Sequence, residues 1–179
     1  MLLGRRIYFF AYYQGMNHEP LMREALKLAR TAIDIGEVPI AAVIALDGKV
    51  IGWGWNELVA KRDPTMHAEI AAFRDAAGRF PVDAKNLVLV STLEPCVMCY
   101  GAALLSGVSE IAFAVAAPAD SGIERVSCPD SPDAQKPSST GGVLAAEAME
   151  LFQYWLDHHP EQDAQRAYIE QLLKLNHAL

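Results

Sequence analysis

TLEPCVMC, residues 92–99, places two of the three cysteines of this chain three positions apart, directly after an apolar run and a proline. The run at 86–92 is typical of a buried strand, and Pro95 suits the first turn of a helix. Thiols at i and i+3 project from the same side of a helix, and the positive end of the helix dipole favours their thiolate forms. The stretch therefore predicts a strand followed by a helix start that presents two thiolates.

A C-x-x-C pair has three interpretations: a redox pair, half of a structural zinc site, or part of a catalytic zinc site. The 179-residue chain is 52% hydrophobic and 21% charged, which is typical of one compact domain. Three cysteines make a poor disulfide framework, so a reducing, cytoplasmic compartment is expected. Composition therefore does not separate the redox interpretation from the metal interpretations.

His67 and Glu69 lie upstream in PTMHAEI (64–70), again just after a proline. In the middle of a helix these two residues would point about 200° apart, but at the first turn both can reach a site beyond the helix end. One histidine with Cys96 and Cys99 makes three metal ligands, and three ligands with an open fourth position are typical of catalytic zinc. A fourth ligand such as Cys128 would instead make a structural site, and both alternatives stay open here.

The remaining pattern predicts helices alternating with strands. The Asp47-Gly48 pair predicts a hairpin turn, and Asp63 is the predicted cap of the second helix, with Pro64 in its first turn. Such an order predicts an α/β domain of three layers around one mixed sheet. The expected segments are helices at 20–35, 63–78, 95–107, 143–157 and 161–176, strands at 40–46, 50–56, 86–92 and 110–116, and a long loop at 118–142.

Three parts of the chain are expected: residues 1–15 as an N-terminal extension ahead of a natural start near Met16, a main domain at 16–157, and a C-terminal helix at 158–179. The apolar part of the extension is too short to span a bilayer. No membrane association is therefore expected, although an anchor or partner-binding segment is an alternative for residues 1–15.

The combination of H-x-E with P-C-x-x-C resembles the signature of the cytidine deaminase-like zinc deaminases. The matching stretches are GEVPIAAVI (36–44), GWGWN (52–56), DPTMHAEI (63–70) and TLEPCVMCYGA (92–102). They are most similar to the purine-acting branch, which holds bacterial tRNA adenosine deaminases and guanine deaminases. The resemblance implies a three-layer α-β-α domain with one mixed five-stranded sheet.

By that resemblance, His67, Cys96 and Cys99 bind one Zn²⁺ with a bound water or hydroxide, and Glu69 is the proton shuttle. The implied reaction replaces an exocyclic amine of a nucleobase or nucleoside with a carbonyl and releases ammonia.

The resemblance also implies a base pocket. It would be lined by the backbone of Leu93 and Glu94 and by the side chain of Asn56, which is expected to orient the base. Asn56 has an alternative interpretation as a turn residue at the end of a strand.

After residue 115 the chain departs from the tRNA deaminases. Gly122, Ile123 and Glu124 resemble a guanine deaminase stretch, which makes Glu124 the predicted second acid and Asp120 the alternative; ordinary charges in a solvated loop are also possible. From residue 118 onward the chain carries four basic and ten acidic residues, so a phosphate backbone finds little to bind there. Guanine or guanosine is therefore the expected substrate, and tRNA adenosine at the wobble position is the alternative.

Two expectations concern assembly. The resemblance to guanine deaminases implies a homodimer. One apolar face of the last helix suits a partner surface but could equally pack on its own domain: Ala164, Ala167, Tyr168, Leu172 and Leu175. A catalytically inactive, zinc-stabilised scaffold subunit is the alternative of another class. Glu69 argues against it, because a scaffold needs no shuttle carboxylate.

Overall fold

Six helices and five strands occur in the part of the chain that a computed structural model describes, residues 17–130, 135–159 and 163–178. The helices are α1 (Glu19–Asp34), α2 (Leu58–Lys61), α3 (Ala68–Ala76), α4 (Val97–Leu105), α5 (Ala145–His158) and α6 (Asp163–Asn176). The strands are β1 (Ala41–Leu46), β2 (Lys49–Trp55), β3 (Leu87–Leu93), β4 (Glu110–Val115) and β5 (Ser138–Thr140). The expected extension at 1–15 lies outside the described residues.

The strands form one mixed sheet in the order β2-β1-β3-β4-β5. β1 pairs antiparallel with both β2 and β3, whereas β4 pairs in parallel with β3 and β5. Asp47 and Gly48 have φ values of 50° and 75°, the left-handed backbone that a two-residue hairpin turn requires. The predicted hairpin and the predicted mixed five-stranded sheet are both confirmed.

Helices cover both faces of the sheet. Alternate residues of a strand point to opposite faces, so each strand contributes side chains to two cores. Val43 and Ala45 of β1 belong to the core shared with α1, α5 and α6. Ala42 and Ile44 belong to the opposite core, which is shared with α3 and α4. The predicted three-layer α-β-α architecture is confirmed.

The fifth strand lies inside the segment predicted as a loop at 118–142, so that part of the prediction is wrong. β5 is three exposed polar residues, Ser138 to Thr140, paired along Glu110 to Ala112 at the sheet edge. It carries no alternation of apolar and polar residues, and its pairing with β4 is what makes it a strand. The short helix α2 was also not predicted.

The helix expected to begin at Asp63 begins at Ala68 instead. Asp63 accepts hydrogen bonds from the backbone nitrogen (2.8 Å) and the hydroxyl (2.7 Å) of Thr65, which closes a separate turn. The N-cap of α3 is His67, in extended backbone at φ −72° and ψ 153°. The turn therefore places His67 beyond the end of α3.

Helix α3 packs unusually close to β2, because both facing surfaces are made of small residues. Gly54 faces the backbone of Ala68 and Ala72, and a Cβ at Gly54 would overlap the oxygen of Ala68 and the nitrogen of Ala72. Backbone atoms of a helix cannot move aside as a flexible side chain does. The glycine therefore sets the depth of the helix that carries His67.

Gly54→Ala is expected to lower the free energy of unfolding by about 3 kcal/mol, since it overpacks a contact made of backbone atoms. Gly101→Ala in α4 is the matched control. Nothing lies within 4 Å of its added Cβ, and alanine in a helix is more favourable than glycine by about 1 kcal/mol. Urea titrations of both variants test the pair; equal stability for Gly54→Ala and the wild type would contradict the close approach.

The C-terminal helix α6 packs on its own domain. Ile169, Leu172 and Leu173 are buried in the core shared with α1 and α5. The side-chain amide of Asn176 accepts from the backbone nitrogen of Ala116 (2.8 Å) and donates to its oxygen (3.0 Å). On the face assigned to a possible partner, Leu172 is buried, Tyr168 and Leu175 pack against the cores, and Ala167 is exposed. The side chain of Ala164 is not described.

No helix within the described ranges combines the length and the apolar character needed to cross a lipid bilayer.

Candidate active site

His67, Cys96 and Cys99 meet where the N-terminal ends of α3 and α4 converge. Cys96 is the N-cap of α4, as His67 is of α3, so both side chains project past a helix end. The Nδ1 atom of His67 lies 3.6 Å from the Sγ of Cys96 and 3.6 Å from the Sγ of Cys99. The three ligand atoms all lie within 4.8 Å of one another.

These distances fit a zinc ion. In a tetrahedral site with Zn–S near 2.3 Å and Zn–N near 2.0–2.1 Å, a sulfur and a nitrogen ligand lie about 3.6 Å apart. Among the described residues the group has only these three members, so Cys128 does not join it. Three protein ligands leave a coordination position open, which is the arrangement of a catalytic zinc site.

The two thiols of the cluster have very different acidities. A hydrogen bond from Cys99 lowers the pKa of Cys96 to about 4. Donating that hydrogen bond raises the pKa of Cys99, and burial adds to the effect. The hydrogen bond to Cys96 likewise raises the pKa of His67. The cluster thus presents a thiolate before any metal binds, and metal binding would release the remaining protons.

Glu69 lies beside this cluster without belonging to it. Its side chain is buried in the first turn of α3, and its Oε1 accepts a hydrogen bond of 3.2 Å from the hydroxyl of Ser91. Burial raises the pKa of the Glu69 carboxyl above its ordinary value. A carboxyl group shielded from water beside a metal site suits proton transfer.

A cavity of about 290 Å³ opens next to the cluster. The predicted pocket residues Asn56, Leu93 and Glu94 line it, as does Asp120. The full lining is Val38, Ile40, Asn56, Leu58, His67, Glu69, Leu93, Glu94, Cys96, Asp120, Gln165 and Tyr168.

Glu124, the predicted second acid, is exposed and is not among the cavity residues. The neighbouring alternative, Asp120, lines the cavity and accepts a hydrogen bond of 2.9 Å from the hydroxyl of Tyr168. An isolated bridge between Cys96 and Ser121 brings this segment to the metal ligands. The geometry favours Asp120 over Glu124, and a role for either acid stays a prediction.

Glu94 lines the cavity, but its carboxylate is already occupied. Its Oε2 accepts from the backbone nitrogen of Ala117 at 2.9 Å, and its Oε1 accepts from the hydroxyl of Ser121. Because both oxygens have protein partners, the side chain of Glu94 stabilises the segment after β4.

Glu37 is a site residue that the sequence analysis did not identify. It is fully buried, and its Oε1 accepts from the backbone nitrogens of Val59 (2.7 Å) and Ala60 (2.8 Å) at the start of α2. Its Oε2 accepts from the Nδ2 of Asn56 at 3.2 Å. Glu37 thereby orients Asn56 toward the cavity. The available signal was a single charged residue between Gly36 and the apolar stretch that follows.

Glu37→Gln is expected to reduce kcat/KM by about tenfold, because an amide cannot accept from all three donors and would leave one buried N–H unpaired. Steady-state kinetics and zinc content are measured on the same samples. A lowered kcat/KM with unchanged zinc content would attribute the loss to the position of Asn56 and not to loss of the metal. Glu57→Gln, at the next glutamate along the chain, is the control. An unaltered rate in Glu37→Gln would show that Asn56 needs no such support.

A family model described as the cytidine and deoxycytidylate deaminase zinc-binding region matches residues 16–115 of this chain. The matched region contains the three clustered ligands and Glu69. The chain belongs to this deaminase family. The family's description names zinc, the metal that the donor set and the spacing of His67, Cys96 and Cys99 suit.

Named relatives of this deaminase-family chain include a tRNA deaminase and a guanine deaminase. The tRNA-specific adenosine deaminase of Haemophilus influenzae is 44% identical over 97 residues, which are 53% of this chain and 56% of the relative. The guanine deaminase of Bacillus subtilis is 40% identical over 91 residues, 49% of this chain and 57% of the relative. The chain thus spans little more than half the length of these relatives.

A solved tRNA:A34 deaminase, from a study of A-to-I editing at the wobble position of transfer RNA, has the same fold. It superposes with a TM-score of 0.62 at 31% identity, covering 74% of this chain and 98% of the deaminase. The structural likeness extends beyond the region that the family model matches.

Proposed function

We propose that the protein is a zinc-dependent hydrolytic deaminase of a small aminated purine, either a free base or a nucleoside. The reaction adds water to the carbon that bears the exocyclic amine, breaks the carbon–nitrogen bond and releases ammonia. The observation that carries the proposal is a buried carboxyl group, that of Glu69, beside three clustered metal-binding side chains. These side chains lie at the edge of a cavity.

Each residue of the site has a distinct task. His67, Cys96 and Cys99 would hold the zinc ion, whose contribution would be to lower the pKa of a bound water towards about 7 and so provide a nucleophile at neutral pH. Glu69 takes the proton from the attacking water and passes it to the base, where it assists departure of the amine. Glu37 occupies one N–H of Asn56, which leaves the rest of that amide to orient the base.

Two features support a small substrate. Tyr168 and Gln165 of α6 line the cavity, and the Tyr168–Asp120 hydrogen bond joins this helix to the segment beside Cys96. If the base were attached to a polynucleotide, the polynucleotide backbone would have to pass this helix. The second feature is the excess of acidic residues after residue 118, which repels phosphate.

Adenosine in tRNA is the second candidate, and the relatives favour it. The Haemophilus tRNA deaminase is 44% identical and the Bacillus guanine deaminase 40%. The comparisons therefore do not favour guanine over tRNA adenosine, and the expectation of guanine or guanosine is broadened here to small aminated purines. Exposed Lys61 and Arg62, at the end of α2, provide positive charge near the cavity residue Leu58.

Ammonia release distinguishes the candidates. The zinc-loaded protein is assayed with guanine, guanosine, adenine, adenosine, cytosine, cytidine and an anticodon-arm RNA, with Glu69→Gln as the control. Release from a purine base or nucleoside, absent in the control, supports the proposal. Release from the RNA alone replaces it with the tRNA candidate, and no release from any of them favours the inactive scaffold.

The homodimer remains a proposal separate from the reaction. Light scattering at micromolar concentration tests it, and a monomer would remove it.

A further inference from the structure

We infer that Ser91 is a positioning residue: its hydroxyl holds the carboxyl group of Glu69 in the orientation that proton transfer requires. The inference rests on the proposed deaminase reaction, but on no particular substrate. Ser91 is not among the described residues that line the cavity, so we assign it an action through Glu69 and not on the base itself.

Ser91 interrupts an apolar face of β3. Leu87 and Leu89 precede it on the same face of the strand and belong to the core shared with α3 and α4. Its neighbours across the sheet, Ala42 of β1 and Phe113 of β4, belong to that core as well. A fully buried hydroxyl is unfavourable unless it is hydrogen-bonded, so the partners of Ser91 determine what a serine does at this position.

The hydroxyl of Ser91 joins the carboxyl group of Glu69 to the backbone of the cavity wall. It donates to the Oε1 of Glu69 at 3.2 Å, and it accepts from the backbone nitrogen of the cavity residue Leu93 at 3.4 Å. The exposed fractions of Ser91 and Glu69 are 0% and 3%. Bulk water therefore does not compete for the contact between them.

This hydrogen bond restrains the softest part of the Glu69 side chain. The terminal torsion of a glutamate has a broad energy well, so the backbone of α3 does not by itself set the plane of the carboxyl group. With Oε1 held by Ser91, the carboxyl group keeps one orientation beside the metal-binding cluster. Orientation matters here because misplacing a reacting group by about 1 Å can lower a rate about 100-fold.

A hydroxyl suits a carboxyl group that gains and loses a proton. It can donate to the carboxylate and accept from the carboxylic acid, so the contact persists in both states. A lysine or arginine at this place would instead favour the carboxylate and oppose its protonation. Ser91 is thus able to hold Glu69 both when it takes the proton from water and when it passes the proton on.

The test compares three substitutions of Ser91. Ser91→Ala removes the hydroxyl, Ser91→Thr keeps it, and Ser91→Val has nearly the volume of Ser91→Thr without a hydroxyl. Ser91→Ala and Ser91→Val are expected to lower kcat about 10- to 100-fold, with KM and zinc content nearly unchanged. Ser91→Thr is expected to stay within about threefold of the wild type. Equal kcat in Ser91→Thr and Ser91→Val would show that the hydroxyl is not what matters.

Thr92→Val is the matched control, because it removes the neighbouring buried hydroxyl of β3. That hydroxyl accepts from the backbone nitrogen of Ala41 (3.1 Å) and donates to the backbone oxygen of Pro39 (3.0 Å). Its loss is expected to lower the melting temperature while kcat stays close to the wild-type value. If Thr92→Val and Ser91→Ala lowered kcat equally, the inference would be refuted.

A double-mutant cycle with Glu69→Gln separates an action through Glu69 from an effect on the fold. Adding Ser91→Ala to Glu69→Gln is expected to lower the residual kcat by less than about twofold, because the carboxyl group that Ser91 positions is already absent. A further loss as large as that caused by Ser91→Ala alone would contradict the inference.

Infrared difference spectra provide a readout that needs no turnover. Subtracting the spectrum of Glu69→Gln from that of the wild type isolates the carboxyl bands of Glu69, and the double variant serves the same purpose for Ser91→Ala. Loss of the hydrogen bond is expected to shift these bands in Ser91→Ala and to leave them in place in Ser91→Thr. Unshifted bands in Ser91→Ala would overturn the inference.

Failure of the proposed function has its own signature. If the wild type releases ammonia from no substrate of the panel, the proposed function fails, and the infrared bands still decide whether Ser91 holds the carboxyl group. If the wild type is active and Ser91→Ala keeps its kcat, only the inference fails.

Discussion

Glu69→Gln is expected to lower kcat by about 10² to 10⁴-fold while the protein keeps its zinc and its fold. The amide has nearly the shape of the carboxyl group and can still contact Ser91, but it cannot take a proton from water. Glu69 is not one of the clustered metal ligands, so the substitution leaves the metal donors untouched. The expected result is therefore a loss of rate with no loss of metal.

The measurement is ammonia release under saturating substrate, with zinc per chain determined on the same samples. Glu150→Gln is the control, since Glu150 is an exposed acid on α5 that is not among the cavity residues. Glu124→Gln in the same series decides whether that exposed acid takes part. Turnover near the wild-type rate in Glu69→Gln would refute the assigned mechanism.

Cys96→Ala is expected to weaken zinc binding by about 100-fold or more and to abolish activity. Removing one of three protein ligands costs more than removing an outer hydrogen-bond partner of a ligand, which already costs 10- to 100-fold. The cluster also loses the Cys96 thiol, whose pKa is lowered to about 4 and which therefore ionises readily. Zinc content after dialysis against a chelator, from one ion per chain towards none, is the direct measurement.

Cys128→Ala provides the matched cysteine control. Cys128 is half-buried and lies outside the three-member cluster of described residues, so its loss should leave zinc content and rate unchanged. If Cys96→Ala still held one zinc per chain, the ligand assignment would be wrong. If Cys128→Ala lost the metal, the site would have four protein ligands and would be structural.

The sequence alone was sufficient to predict the mixed sheet, its hairpin and the convergence of His67 with Cys96 and Cys99. These features depend on local sequence: short apolar runs bounded by turn residues define the strands, and two helix starts after prolines present the ligands. The helix start at Asp63 was misplaced, because a side chain that caps a helix and one that closes a turn use the same residue types.

Only the tertiary structure determined what surrounds the metal ligands. Glu37 supports Asn56 from 19 positions away, and Asp120 meets Tyr168 across 48 positions. Neither pair has a local pattern, because a hydrogen bond between distant residues depends on where the folded backbone places them. For the same reason β5, three exposed polar residues, becomes a strand only beside β4. Local spacing thus determined the three clustered ligands, whereas tertiary packing determined the cavity lining, including Gln165 and Tyr168 of α6.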